Sequence, residues 1–220
     1  SAVVVSVDME LRTVTVDATP AGTVATDILH HFGAFGNEFA GIHKILTNTG
    51  TLFNISAATY TLWKGVEFGC SSAAFSFTKL LSGVSRAVEK GLDVDMKVHV
   101  NPRTWANLLS DQAALRQYDS SYSSKQAEVG SNSIKFHAQN GMIEIVPNIY
   151  VKEGYAYGLV MDELIRVGST DITFKRPGQG DEFFRDLESA AGYELRAYTD
   201  QAVFCSAPGK LILFKDIINS

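Results

Sequence analysis

The succession of β-rich and helical stretches predicts an α+β chain. Three observations carry that prediction. One clear amphipathic helix runs from Ala73 to Glu89, and β-rich segments lie both before and after it. Asp95 to Met161 reads as a strand and helix followed by a loop and further strands. From Gly192 to Phe204 the side chains alternate over more than the usual length of one strand, with Tyr193, Leu195 and Ala197 on one side and Glu194, Arg196 and Tyr198 on the other. Strict alternation marks a half-buried strand. About a dozen residues at about 3.3 Å each span about 40 Å, more than a compact core covers alone. A strand of that length with charges on one face predicts a sheet that continues across a subunit boundary.

Taken in order, Val3–Val7 and Thr13–Val16 read as a hairpin around Asp8-Met9-Glu10, closed by the loop Ala18–Gly22. Asp27–Phe32 reads as a third strand and Gly33–Gly36 as a turn, so residues 1–40 form a small β module. Phe39–Leu46 is a short helix or an irregular segment, ended by the turn chemistry of Thr47-Asn48-Thr49-Gly50. Thr51–Gly69 is aromatic and irregular and reads as a packed linker. In the helix that follows, Phe77, Leu80, Leu81, Val84 and Val88 recur at three and four, with Gly91 as its C-terminal stop. Asp95–Val100 is a strand; Asn101 then caps a helix that has Pro102 in its first turn and Trp105, Leu108 and Leu109 on its buried stripe. A second short helix fits Ala113–Arg116, and the Ser-rich Tyr118–Asn132 reads as a surface loop. Ile134–His137 and Met142–Val146 form a hairpin around Gln139-Asn140-Gly141. Strands at Tyr155–Met161, Glu163–Val167 and Ser169–Arg176 precede the turn Pro177–Gly180 and the long strand. Pro208-Gly209 turns the chain into a last, fully apolar strand, Leu211–Phe214.

Composition narrows the class. The 220 residues are 45% hydrophobic and 20% charged, as in an ordinary globular chain with a real core. No apolar run reaches the roughly 18 residues of a membrane helix, and no signal peptide is visible, so no membrane partner is expected. The net charge is −5 with no Lys/Arg run, which argues against sequence-specific or tight nucleic-acid binding. Cys70 and Cys205 read as two buried thiols.

Catalytic motifs are weak. Ser76-Phe77-Thr78-Lys79 fits an acylase S-x-x-K, but S-D-N and K-T-G companions are missing. His30 and His31 are adjacent and would point to opposite faces, so they do not chelate one metal together. Gly178-Gln179-Gly180 lacks the rest of a phosphate loop. Asp93 and Asp95 read as solvated loop charges. No catalytic, cofactor-binding or metal residue is assigned and no cofactor is expected. Phe35 and Phe39 in the N-terminal module read as core packing, against a carbohydrate-binding alternative.

Three segments together resemble the major capsid proteins of tailed phages, the Hong Kong 97-type fold that encapsulin shells also use. They are Val98-His99-Val100-Asn101-Pro102-Arg103-Thr104-Trp105; Gly141-Met142-Ile143-Glu144-Ile145-Val146-Pro147 with Gly154 and a strand; and the stretch from Asp181-Glu182-Phe183-Phe184 through Glu194–Tyr198 to Ala207-Pro208-Gly209-Lys210. The resemblance covers about Gly41 to Ile217. It implies an A domain over residues 75–161, a P-domain remnant over 41–74, and over 162–220 the long P-domain strand with a return strand to the A domain. Residues 1–40 would be a β-rich insertion. The chain would be the C-terminal two-thirds of such a subunit, without the N-terminal arm, the E-loop and the spine helix. The implied role is a non-enzymatic structural subunit that self-associates into pentamers and hexamers of an icosahedral phage or prophage capsid around DNA, with other virion proteins as further partners. Its location would be the virion capsid, and the bacterial host cytoplasm during assembly. An encapsulin-like compartment is the alternative within the fold, and a hydrolase with a site assembled from distant residues is the alternative outside it. Candidate subunit-contact residues are Glu194, Arg196 and Tyr198 on the long strand, and Tyr122 and Lys125 in the Ser-rich loop. With its usual covering helix absent, part of the strand's apolar face is expected to be exposed.

Overall fold

The computed structural model describes residues 2–8, 11, 13–24, 27, 30, 33–116, 134–175, 183–187 and 190–219. It divides into two compact units, Ser1–Phe39 and Ala40–Ser220.

In the first unit, β1 (Val4–Asp8) and β2 (Thr13–Val16) pair antiparallel, with Asp8 opposite Thr13 and Val4 opposite Val16. The Asp17 carboxylate ties the open end by accepting from the Val3 and Ala18 amides at 2.9 and 2.7 Å. Those backbone donors hold its pKa below the ordinary carboxylate value. Asp27 and His30 have no strand structure, and most of the expected third strand lies outside the described residues. Phe35 and Phe39 are exposed instead of forming a core, and Phe35 meets only the edge of the His30 ring, at 5.2 Å, among the ring contacts of the described residues.

The second unit is built on a mixed six-stranded sheet. Its strands are β5 (Val66–Ala73), β6 (Met96–Val100), β7 (Ile134–Ala138), β8 (Gly141–Pro147), β9 (Ala156–Leu159) and β14 (Ile212–Ile217), in the spatial order β5-β14-β9-β6-β8-β7. The β14–β5 and β6–β8 pairs are parallel and the other pairs are antiparallel. Ile212, Leu213 and Phe214 are all buried, which is why the last strand reads as continuously apolar. Two helices account for this: α1 (Ile42–Leu46) and α2 (Phe77–Val88) both pack on β14. At the sheet's other end Ile143 and Ile145 are buried while Glu144 bridges Lys135 at 3.2 Å and Lys97 at 3.7 Å.

The helix α2 starts at Phe77, four residues later than the periodicity places it, because Val66–Ala73 is already committed to β5. Thr51–Gly69 is therefore not simply a linker. It contains a small hairpin, β3 (Thr51–Leu52) and β4 (Ile55–Ser56), and the start of a sheet strand. Ser76 caps α2 by accepting from the Lys79 amide at 3.4 Å. At the other end the Leu92 amide donates to the Ala87 carbonyl and the Gly91 amide to Val88, with Gly91 at φ +98°, a Schellman stop. Leu81, expected on the buried stripe, is exposed; the face against the sheet is Leu80, Gly83, Val84 and Ala87. The two small residues let the helix approach closely.

Asn101 accepts from the Arg103 amide at 3.0 Å and opens α3 (Pro102–Arg116), which absorbs the expected second helix at Ala113–Arg116. Leu109 is exposed, Trp105 is half-buried, and among the helix side chains described the buried ones are Thr104 and Leu108, four apart. The Thr104 hydroxyl donates to the Asn219 side chain at 2.9 Å, which ties α3 to the residues after β14. The Ser-rich loop and the Pro177–Gly180 turn lie outside the described residues.

Candidate subunit-contact surface

Beyond the sheet the chain forms a separate two-stranded ribbon. The two expected strands Glu163–Val167 and Ser169–Arg176 are one strand, β10 (Leu164–Thr173), running through Gly168. It pairs antiparallel with β13 (Tyr198–Cys205), from Leu164 opposite Cys205 to Thr173 opposite Tyr198. The register shifts near Gly168, where a Cβ would lie 2.0 Å from the Asp200 carbonyl oxygen, so only glycine fits. Ser169 donates to the Asp200 carboxylate at 2.7 Å across the same irregularity.

The expected single strand from Gly192 to Phe204 is broken. Tyr193–Leu195 is β12, which pairs with β11 (Phe184–Asp186), and the ribbon strand starts only at Tyr198. Arg196 and Ala197 lie between the two strands. Part of the strand's apolar face is open, as expected, and it is made of residues also expected to pack inward. Tyr193 and Leu195, expected to hold the domain together, are 74% and 51% exposed, whereas Glu194 is half-buried and salt-bridged to Arg196 at 2.6 Å. Tyr198 is half-buried, and its hydroxyl is enclosed without a hydrogen-bond partner. Of the five expected contact residues, Glu194, Arg196 and Tyr198 thus lie together at the far end of the ribbon; Tyr122 and Lys125 lie outside the described residues.

The register of β11 and β12 sets Phe184 opposite Leu195 and Asp186 opposite Tyr193. These four therefore share one hairpin face, and the Phe184 and Tyr193 rings meet at 6.3 Å. Along the ribbon Ile165, Val167 and Ile172 are also exposed. A two-stranded ribbon with this much apolar surface open is marginal by itself and calls for a covering partner. The residues missed by sequence reasoning are Phe184 and its neighbours on that face. Their signal in the sequence is the adjacent pair Phe183-Phe184 beside an alternating strand.

The near end of the ribbon is anchored by charge. Lys210 sits in a 3₁₀ turn, Pro208–Lys210, and its ammonium reaches Glu163 at 3.0 Å and Asp93 at 3.3 Å. The Ser206 hydroxyl also donates to the Glu163 carboxylate. These hydrogen bonds, Ser206's first, hold the Glu163 pKa below its ordinary value, and Glu163 in turn raises that of Lys210. Asp93 and Asp95 are thus not merely solvated: Asp95 accepts from the Met142 amide at 2.8 Å, under Gly141 at φ +126°.

The same end holds an aromatic cleft of about 670 Å³ lined by Tyr60, Leu62, Trp63, Lys90 and Pro208, among others. Trp63 donates its indole N–H to the Leu52 carbonyl at 2.9 Å, and its ring lies 6.1 Å from that of Phe204. The β3–β4 turn beside it holds Phe53 and Asn54 at φ +51° and +61°, with Phe53 edge-on to Phe204 at 5.2 Å. A bulky residue in the left-handed region is held there only by such packing.

Ser76 and Lys79 of the S-x-x-K motif make structural contacts, and Gly178-Gln179-Gly180 lies outside the described residues. Ser76 is the α2 cap, and the Lys79 ammonium donates to the Ala74 carbonyl at 2.7 Å. His43 meets the Tyr157 hydroxyl at 3.0 Å. Cys70 and Cys205 are free and buried; burial raises the Cys70 thiol pKa and pushes that of Cys205 up to about 11. Among the described residues, no group of His, Cys, Asp and Glu is placed to hold a metal ion, and no helix is long and apolar enough to cross a membrane.

No protein-family model matches the sequence, and no curated protein matches it. Solved structures do match. The capsid asymmetric unit of cyanophage A-1(L) aligns with a TM-score of 0.53 at 12% identity, over 77% of this chain and 56% of that one. This chain has a capsid-type fold. It spans little more than half the length of the cyanophage chain. Two weaker alignments are to the virus-like particle from Pyrococcus furiosus (TM-score 0.37, 12% identity, 63% of this chain and 47% of that one) and to the holo-SrpI encapsulin complex from Synechococcus elongatus (TM-score 0.42, 11% identity, 80% and 59%).

Proposed function

We propose that this chain is a structural subunit of a protein shell, a tailed-phage-type capsid that self-associates into pentamers and hexamers around its DNA. The observation that carries the reading is the ribbon β10–β13 with its terminal hairpin, in a chain whose fold is similar to that of the cyanophage capsid structure. Its exposed apolar face is a surface that a lone subunit leaves in water at a cost and an assembly buries. Shell contacts of this kind sum many modest interfaces over a closed symmetric object. In this reading the six-stranded sheet is the A domain, the ribbon belongs to the P domain, and residues 1–40 are an insertion. Glu194, Arg196 and Tyr198 border the contact at the ribbon's far end, and Tyr122 and Lys125 contribute from the loop near the capsomer centre.

The test is negative-stain microscopy of the full-length gene product across a range of salt concentrations. Closed shells or rings are expected, and shells that package DNA separate a phage capsid from an encapsulin-like compartment loaded with protein cargo. A product that stays strictly monomeric at every salt concentration refutes the reading.

A further inference from the structure

The two ends of the β10–β13 ribbon are complementary. At the far end the hairpin face presents Phe184, Tyr193 and Leu195, which are 62%, 74% and 51% exposed. The exposed Asp186 shares that face by register. At the near end is the Trp63 cleft, whose wall includes Tyr60 and Leu62, 64% and 58% exposed. Lys210 on its rim is already paired with Glu163 and Asp93. Lys90 is half-buried and has no ion-pair partner among the described residues. Burial lowers its pKa, and the nearby Lys64 charge lowers it further. Among the described residues, an apolar wall with an uncompensated cation thus fits an apolar face with an uncompensated carboxylate.

The two surfaces belong to opposite ends of β10, whose ten residues span about 30 Å at about 3.3 Å per residue. We propose that the hairpin of one copy seats in the Trp63 cleft of a second copy, with Asp186 approaching Lys90. The contact uses different patches on the two copies: repeated head to tail it generates closed rings or extended chains, and exchanged reciprocally it gives a two-fold dimer. This inference deepens the shell-forming reading and rests on it.

The test uses disulfide trapping between two single variants of the chain, Leu62→Cys and Leu195→Cys, purified separately and mixed. Both native thiols are buried, so the introduced ones report alone. A crosslinked heterodimer is expected about tenfold above that of a control mixture of Leu195→Cys with Tyr150→Cys, the latter at an exposed turn remote in sequence from the cleft. A second arm reads association by light scattering: Lys90→Glu weakens it about tenfold, and adding Asp186→Lys restores it. Leu195→Cys homodimers that outnumber the heterodimer overturn the proposal in favour of hairpin-to-hairpin contact. Rings or shells that form without the Leu62–Leu195 crosslink overturn it and leave the shell reading standing. A chain that is monomeric throughout overturns both.

Discussion

Replacing Gly83 by alanine sets two opposed effects against each other at one atom. Gly83 lies in the middle of α2, where alanine is favoured over glycine by about 1 kcal/mol. Its α-carbon also faces Phe214. A Cβ built there would lie 2.4 Å from Cε1 and 2.7 Å from Cζ of that ring. Carbon atoms in contact prefer about 3.5–4.0 Å, so the overlap is about 1 Å on a fully buried ring. The ring has little room to yield, since Phe75 meets it edge-on at 5.0 Å and Phe68 at 5.8 Å. An overlap of that size on a hemmed-in ring falls in the upper part of the overpacking range, about 2–3 kcal/mol. The steric effect therefore wins, and Gly83→Ala should lose about 1–2 kcal/mol net, or about 2–8 °C of Tm for a domain of this size. Urea unfolding followed by circular dichroism should show a lower midpoint at an unchanged slope. In a Phe214→Leu background the penalty should shrink, because the shorter side chain leaves room for the methyl group. A Gly83→Ala variant as stable as the parent, or more stable, refutes the claim that α2 is held against β14 at glycine distance.

Two further outcomes follow from the ionisable groups. The folded-state pKa of Glu163 lies below its ordinary 4.5, so its contribution to stability is complete above the unfolded-state value and is lost as pH falls through the folded one. Glu163→Gln should therefore be less stable than the parent at neutral pH, and the difference should close as pH falls below the ordinary 4.5 and through the lowered folded value; parallel pH–stability curves would show that the Ser206–Lys210 anchor is unimportant. The buried thiols, Cys205 with a pKa of about 11, should stay unreactive toward a disulfide reagent in the native chain at pH about 8 and react together on unfolding in urea. Rapid stoichiometric labelling of the native chain would contradict their burial.

Several elements were legible because their signals are local. The Ser76 cap and Gly91 stop of α2, the Asn101-Pro102 opening of α3, the Gly141 turn of the β7–β8 hairpin and the Pro208-Gly209 turn each depend on a few neighbouring residues. The misreadings involve partners distant in sequence. Val66–Ala73 becomes a strand only by pairing in parallel with β14, nearly 150 residues later, and no local pattern marks that. Leu81 and Leu109 are apolar and fall at helical spacing, but the packed faces are set by small or polar residues, Gly83, Ala87 and Thr104. At the candidate contact surface, alternation separates Glu194 and Arg196, which are salt-bridged to each other, from an apolar side expected to be partly open. Tyr193 and Leu195 are exposed on that side, although both are also expected to hold the domain together.

What the sequence by itself determined is the set of elements with local chemistry, the α+β class, and the alternation of Tyr193 to Tyr198. Alternation states that two faces differ; it does not state which one is covered, because covering requires a partner surface that strand periodicity does not encode. Only the tertiary structure decided that the long strand breaks at Arg196 and Ala197, that its two halves pair with different strands, and that Phe184, Tyr193 and Leu195 remain open. The physical reason is that backbone pairing sets the orientation of each strand segment, and that pairing is made with residues far away in the chain.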